Sequence, residues 1–194
     1  MPIPYPRRQA QMSNQLSSTS WQTLLRKSVV WGIWLFLLAV LQTSFFSVIR
    51  VFGAVPDLVL PAVITIAVYD RERMGTVAGI MGGYIADAIG GTGLSLSPLV
   101  YMLCGIIVAL LAYSVLRRDF FSWLVGTVLS LALSGGASVI CAHFAVGTVH
   151  FGASDIFFGM LVPQFFASLV IGIPVYFVTK AIWSRLFDNR EMEG

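Results

Sequence analysis

The stretch from Pro56 to Gly91 reads PDLVLPAVITIAVYDRERMGTVAGIMGGYIADAIGG and consists of two apolar runs separated by the charged tetrapeptide DRER. Both runs are continuously apolar, whereas a half-buried strand alternates polar and apolar residues. The tetrapeptide between them leaves room for little more than a turn. This stretch therefore predicts two helices of a membrane bundle, joined by a short connection.

The composition of the whole chain also indicates a membrane protein. Of its 194 residues, 57% are hydrophobic and 11% are charged, and the mean hydropathy is +0.85. Soluble domains typically carry roughly 25% charged residues. The net charge is +3, but the sequence contains no basic run interleaved with aromatic residues. We therefore expect no nucleic-acid partner. Cys104 and Cys141 lie inside apolar runs, which predicts packed thiols and excludes a disulfide framework or a four-ligand zinc site.

Charged residues and Gly/Ser clusters divide the apolar sequence into six segments. We predict an all-α bundle of six transmembrane helices within a membrane domain of residues 29–183. The predicted helices lie at about 29–49, 55–69, 74–89, 98–116, 120–146 and 156–179. The second and third fall short of the ~20 residues of a full span, so they either thin the bilayer locally or are covered by neighbouring helices.

The chain on either side of this domain is polar. Residues 1–28 contain three early prolines and a stretch rich in Gln, Ser, Asn and Thr, which predicts a disordered cytoplasmic arm. The apolar run that follows is too long for the core of a cleavable signal peptide, so we expect it to stay as the first span. Residues 184–194 are predicted to form a cytoplasmic tail.

The basic residues determine the predicted orientation. With the amino terminus inside, eleven of the twelve Lys and Arg residues fall on the inner side, and Arg50 is the one on the outer side. This asymmetry predicts an even number of spans with both termini in the cytoplasm. The short inner connections leave no room for a soluble catalytic domain.

A glycine stripe marks the third predicted helix. Gly75, Gly79 and Gly83 recur at four-residue spacing, and Asp87 continues the same face. Small residues on one face let another helix backbone approach closely, which is a main source of helix association in lipid. Two interpretations are open: the stripe packs within this bundle, or it packs against a partner's helix. In either case we expect the face to be covered.

Polar and charged residues of the outer half form the candidate partner- or ligand-binding site. Ionisable groups at membrane depth are costly and face the bundle interior or a cavity. By helix rise, Gln42 on the first helix and Asp87 on the third helix reach a similar depth in the membrane. The set comprises Gln42, Arg50, Asp57, Asp87 and Asp155.

A structural role is the alternative for each of the three aspartates. Asp57 and Asp155 stand where helix starts need side-chain acceptors for free backbone N–H groups. Asp87 lies near the end of its helix, where no such acceptor is needed. For Asp87 we favour a buried, hydrogen-bonded carboxyl in a polar pocket with Gln42, positioning the third helix against the first.

No motif for catalysis or for a metal ion is found in the sequence. His143 and His150 lie seven residues apart and do not make a metal site, and no nucleophile elbow, Walker loop or H-E-x-x-H occurs. We therefore expect neither an enzyme nor a cofactor. An intramembrane enzyme that uses Asp87 as an acid or base stays an alternative.

The combination of motifs resembles the rod-shape-determining MreD family of bacteria. It consists of LQTSFFSVIRVFGAVPDLVLPAVI, residues 41–64, followed by GTVAGIMGGYIADAIGG, residues 75–91. In the first, Gln42 and the Pro56-Asp57-Leu58 triplet frame a short outer loop. The similarity covers roughly residues 41–111, and the rest of the chain is similar in span count and length. The long polar arm before Val29 departs from the pattern.

This resemblance implies a non-enzymatic, multi-pass subunit of the machinery that elongates the side wall of rod-shaped bacteria. Such a protein supports peptidoglycan synthesis and cell shape from the cytoplasmic (inner) membrane. The implied partner is the single-pass membrane protein MreC. Links to the actin-like MreB, a RodA-type glycosyltransferase and a class B penicillin-binding transpeptidase are implied as well.

A second class of function fits the same span count. The substrate-binding S-component of a vitamin or metal uptake transporter is of similar size, and the MreD family is thought to resemble it in fold. A ligand-gripping subunit needs polar and aromatic groups in its outer loops, whereas GGTGLSLS and VGTVHFGAS offer few. A channel or proton-coupled carrier ranks third, since two equivalent halves with broken helices are not visible.

Overall fold

The computed structural model describes residues 6–45, 55–90, 97–114, 119–145 and 162–188, and the regular structure of these residues is helical. This confirms the predicted all-α class. A π-helical turn, Ser184–Asp188, continues the last helix. The helices are α1 (Pro6–Ser44), α2 (Val59–Tyr69), α3 (Arg71–Gly90), α4 (Ser97–Ser114), α5 (Phe120–Ala145) and α6 (Val162–Trp183).

The largest difference from the sequence prediction concerns the start of α1. The polar arm of residues 1–28 was expected to be disordered, whereas the structure has helix from Pro6 onward. The arm contains good helix formers such as Gln, Ala, Met and Leu. Extending a helix that the apolar segment has already nucleated costs less than starting one, so the arm continues the first span as helix.

Helix α2 forms the centre of the bundle. All eleven of its residues are buried, and it contacts each of the other five helices. At ~1.5 Å per residue it is about 16 Å long, roughly half the thickness of a bilayer core. Neighbouring helices therefore cover this short apolar segment, which was one of the two predicted alternatives; the other was local thinning of the bilayer.

Helices that follow one another in the described part of the chain run antiparallel, because the contacts between them reverse in order along the chain. The start of α1 and the end of α6 consequently lie at the same end of the bundle. We call this end the Asp70 end and the opposite one the Asp57 end, after the residues that flank α2. The contacting pairs are Lys27–Asp70 and Leu58–Gln42 for α1/α2, Ala67–Gly75 and Val63–Gly82 for α2/α3, Gly75–Gly105 and Gly79–Tyr101 for α3/α4, Val108–Gly126 and Cys104–Ser130 for α4/α5, and Gly172–Trp123 and Tyr176–Phe120 for α5/α6.

The glycine stripe of α3 lies against the backbone of α4. A Cβ atom built on Gly79 would lie 2.5 Å from the carbonyl oxygen of Tyr101, and one built on Gly83 would collide with the backbone of Pro98. One built on Gly75 would lie 2.9 Å from the Cβ of Ala67. The stripe thus packs within this chain, and close approach of α3 to α4 depends on it.

The surface of the bundle has the character of a membrane protein. Within the part of the chain that the structure describes, three helical stretches are long and apolar enough to cross a membrane: Leu24–Ser44, Phe120–Ser138 and Val162–Leu186. Along α1, large apolar side chains that are more than half exposed recur every four residues, at Leu25, Val29 and Ile33. Such a stripe suits lipid and not water.

Candidate functional site

The Asp57 end of the bundle is organised around the first turn of α2. The Asp57 carboxylate is buried, with 7% of the residue exposed, and its Oδ1 accepts the backbone N–H groups of Val59, at 3.0 Å, and Leu60, at 3.1 Å. Residue 61 is a proline and has no N–H to satisfy. Asp57 therefore caps α2, which is the structural role that its place after Pro56 suggested.

Three other helices bind this same turn. From α1, Gln42 Oε1 accepts the N–H of Leu58 at 3.0 Å. From α6, the Ser168 hydroxyl oxygen accepts the N–H of Asp57 at 2.8 Å. From α4, the Tyr101 hydroxyl donates to Asp57 Oδ2. The free N–H groups of a buried helix start are thus all satisfied, and by side chains that tie α2 to its neighbours.

Of the candidate site residues, the structure brings Gln42 and Asp57 together at this turn. Asp87, in the last turns of α3, is half-buried, and its carboxyl acts electrostatically on the Tyr101 hydroxyl. Its proposed role in positioning α3 against α1 stays a prediction. Arg50 and Asp155 lie outside the described residues, as does His150.

The Asp70 end contains a charged pair that the sequence analysis did not identify. The Lys27 ammonium of α1 lies 2.6 Å from Asp70 Oδ1, and the indole N–H of Trp31 donates to Asp70 Oδ2 at 3.2 Å. The residues were assigned to the inner loop and to the polar arm, but their side chains are only 5% and 12% exposed. Asp70 is instead buried at the junction between α2 and α3, which begins at Arg71, and its carboxylate faces α1.

Aromatic residues with polar tips form further hydrogen bonds between the helices. The hydroxyls of Tyr69 and Tyr176 lie 2.7 Å apart, and the indole N–H of Trp34 donates to the Thr179 hydroxyl at 3.0 Å. The indole N–H of Trp123 donates to the carbonyl of Pro61 at 3.2 Å. These bonds link α1, α2, α5 and α6 across the bundle, and each satisfies a polar atom that would be costly to bury alone.

The hydrogen bonds and the ion pair at the two ends of α2 hold the helices in position. Both buried carboxylates are satisfied by groups of the chain itself, and the buried Cys104 thiol donates to the carbonyl of Ser130 at 3.8 Å, as a packed thiol does. Among the described residues, no three His, Cys, Asp or Glu side chains come together as metal ligands would. No family model, no curated protein and no solved structure matches this chain.

Proposed function

We propose that this chain is a non-enzymatic subunit of the bacterial cell-elongation machinery, of the kind that the MreD resemblance implies. It spans the cytoplasmic membrane six times with both termini inside, binds a single-pass partner of the MreC type, and supports side-wall peptidoglycan synthesis. One observation carries this proposal: Gln42 accepts a hydrogen bond from the backbone of Leu58 at 3.0 Å. It joins two of the short motifs on which the resemblance rests.

The remaining motif of the resemblance belongs to the same packing unit. The glycine stripe of α3 lets α4 approach, and α4 supplies Tyr101 to the carboxylate of Asp57. Each quoted motif therefore contributes to one arrangement of α1 to α4 around the buried α2. Motifs that act together in this way favour a shared architecture over a chance match of short sequences.

A partner helix needs an exposed face, and α5 offers one. A Cβ atom built on Gly136 meets no described residue within 4 Å, and Gly136 is exposed, like Ala132 one turn earlier. The stripe glycines of α3 are already covered by α4 and α2. A single-span partner could therefore approach the backbone of α5 closely without displacing a helix of the bundle.

The decisive experiment is purification from its native bacterium in mild detergent, with identification of the membrane proteins that remain bound, beside depletion of the chain. We expect an MreC-type protein to co-purify and depleted cells to lose their rod shape. Co-purification of an ATP-driven transporter module, with normal rods after depletion, would contradict the proposal and favour the transporter subunit.

Two glycine variants separate partner binding from folding. Gly136→Leu should leave the melting temperature unchanged and reduce recovery of the partner several-fold. Gly79→Leu should lower the melting temperature, because its side chain meets the α4 backbone, at a cost on the order of a few kcal/mol. Full partner recovery with Gly136→Leu would place the partner on another face.

A further inference from the structure

Two lysines at the Asp70 end have opposite surroundings. Lys27 is largely buried, and its charge is neutralised by Asp70. Lys180, in the last turn of α6, is exposed, and its ammonium lies 5.7 Å from the ring centroid of Tyr69 and 5.8 Å from that of Tyr176. Those are cation–π distances. The rings orient the Lys180 ammonium while leaving its full positive charge in place.

Among the carboxylates whose side chains the structure describes, none lies within ion-pair distance of Lys180. Asp119 is close enough to Tyr69 for an electrostatic interaction, yet it does not reach the ammonium. The nearby Arg185 is also exposed. The positive charge of Lys180 is therefore available to an external anion.

The surface of α6 beside Lys180 indicates what kind of anion this is. Exposed apolar side chains recur at three- and four-residue spacing and end at Lys180, so they share one helix face with it. From Phe166 to Lys180 this face is about 21 Å long by helix rise. The stripe consists of Phe166, Val170, Ile173 and Phe177.

An anionic phospholipid is complementary to this face, because it has a negative charge at one end and an apolar chain that extends from it. Its phosphodiester is a charged acceptor at the membrane surface, and its acyl chain runs inward along apolar side chains. We propose that Lys180 binds the phosphate of one anionic phospholipid, with an acyl chain along the α6 stripe. This rests on the membrane orientation given under the proposed function and is independent of the partner's identity.

The test uses the full chain in nanodiscs of phosphatidylcholine with and without phosphatidylglycerol. The lipid retained is measured by native mass spectrometry, and the melting temperature is recorded beside it. Wild type should prefer phosphatidylglycerol, and Lys180→Gln should lower that preference about fivefold, the factor expected for one lysine at an anionic surface. Lys180→Arg keeps the positive charge and should therefore keep most of the preference for phosphatidylglycerol. It controls for the effect of changing the side chain itself.

Arg185→Gln is the matched control, since it removes one exposed positive charge from the same end of α6. An equal loss with Arg185→Gln would mean diffuse attraction and would overturn the site. Inorganic phosphate added to phosphatidylcholine nanodiscs distinguishes the source of the phosphate. If it raised the melting temperature of wild type but not of Lys180→Gln, the site would bind a soluble phosphate and not a lipid.

Discussion

The two ends of the central helix α2 each bury an aspartate, and they satisfy it differently. Asp57 and Asp70 are 7% and 5% exposed and lie thirteen residues apart, about 20 Å along the chain. The carboxylate of Asp57 accepts bonds from two backbone N–H groups and a tyrosine hydroxyl, all neutral donors. The carboxylate of Asp70 has a lysine ammonium at 2.6 Å and an indole N–H.

The helix dipole explains why only one of them is paired with a full positive charge. Asp57 lies at the amino end of α2, where the aligned peptide dipoles place about half a positive charge. Asp70 follows the carboxyl end, where the dipoles are adverse to an anion. A buried carboxylate at that end is stable only beside a cation, and Lys27 supplies it. The same residue type thus needs different partners at the two ends of one helix.

The largest effect is expected from removing the Asp57 side chain. Asp57→Ala leaves the N–H groups of Val59 and Leu60 and the hydroxyl of Tyr101 buried without their acceptor. Three such losses should lower the free energy of unfolding by about 4 kcal/mol. Denaturation of the purified protein in detergent measures this. A loss of under about 1 kcal/mol would show that water enters the Asp57 end and replaces the carboxylate.

At the Asp70 end, the removal of one partner should cost more than the removal of both. Lys27→Met leaves a buried carboxylate without its cation, which should cost about 3 kcal/mol. Adding Asp70→Leu removes that carboxylate, so the double variant should return to within about 1 kcal/mol of wild type. A double variant less stable than Lys27→Met alone would mean that Asp70 acts chiefly through Trp31.

The same comparison shows how far sequence alone predicts this molecule. Helices α2 to α5 follow from continuous apolar runs, and their ends fall within a few residues of the predicted ones. The capping role of Asp57 was one of the two interpretations that its place after Pro56 allowed. The pairing of Lys27 with Asp70 was missed because charges beside apolar runs are usually solvated. In an antiparallel α1/α2 pair, the start of one helix lies beside the end of the other. The predicted topology therefore already placed Lys27 close to Asp70.

Contacts from distant helices could not be predicted at all. Tyr101 and Ser168 lie in continuous apolar runs, and nothing in their neighbourhood distinguishes them from other polar residues there. Their bonds to Asp57 depend on how α4 and α6 are rotated about their own axes. The packing of many apolar side chains sets that rotation, whereas the spacing of a few residues does not. The glycine stripe was predictable because small residues at a regular spacing mark a face directly.

The smallest and sharpest prediction compares asparagine at the two ends. Asp57→Asn keeps an amide oxygen for the N–H groups of Val59 and Leu60 and loses mainly the favourable interaction of a charge with the helix start, about 1 kcal/mol. Asp70→Asn leaves the largely buried Lys27 without an anion, at a cost of about 2 kcal/mol. Measured side by side in one detergent, Asp70→Asn should therefore be the more destabilising. Equal losses, or a larger loss for Asp57→Asn, would show that the helix dipole does not decide how the two carboxylates are compensated.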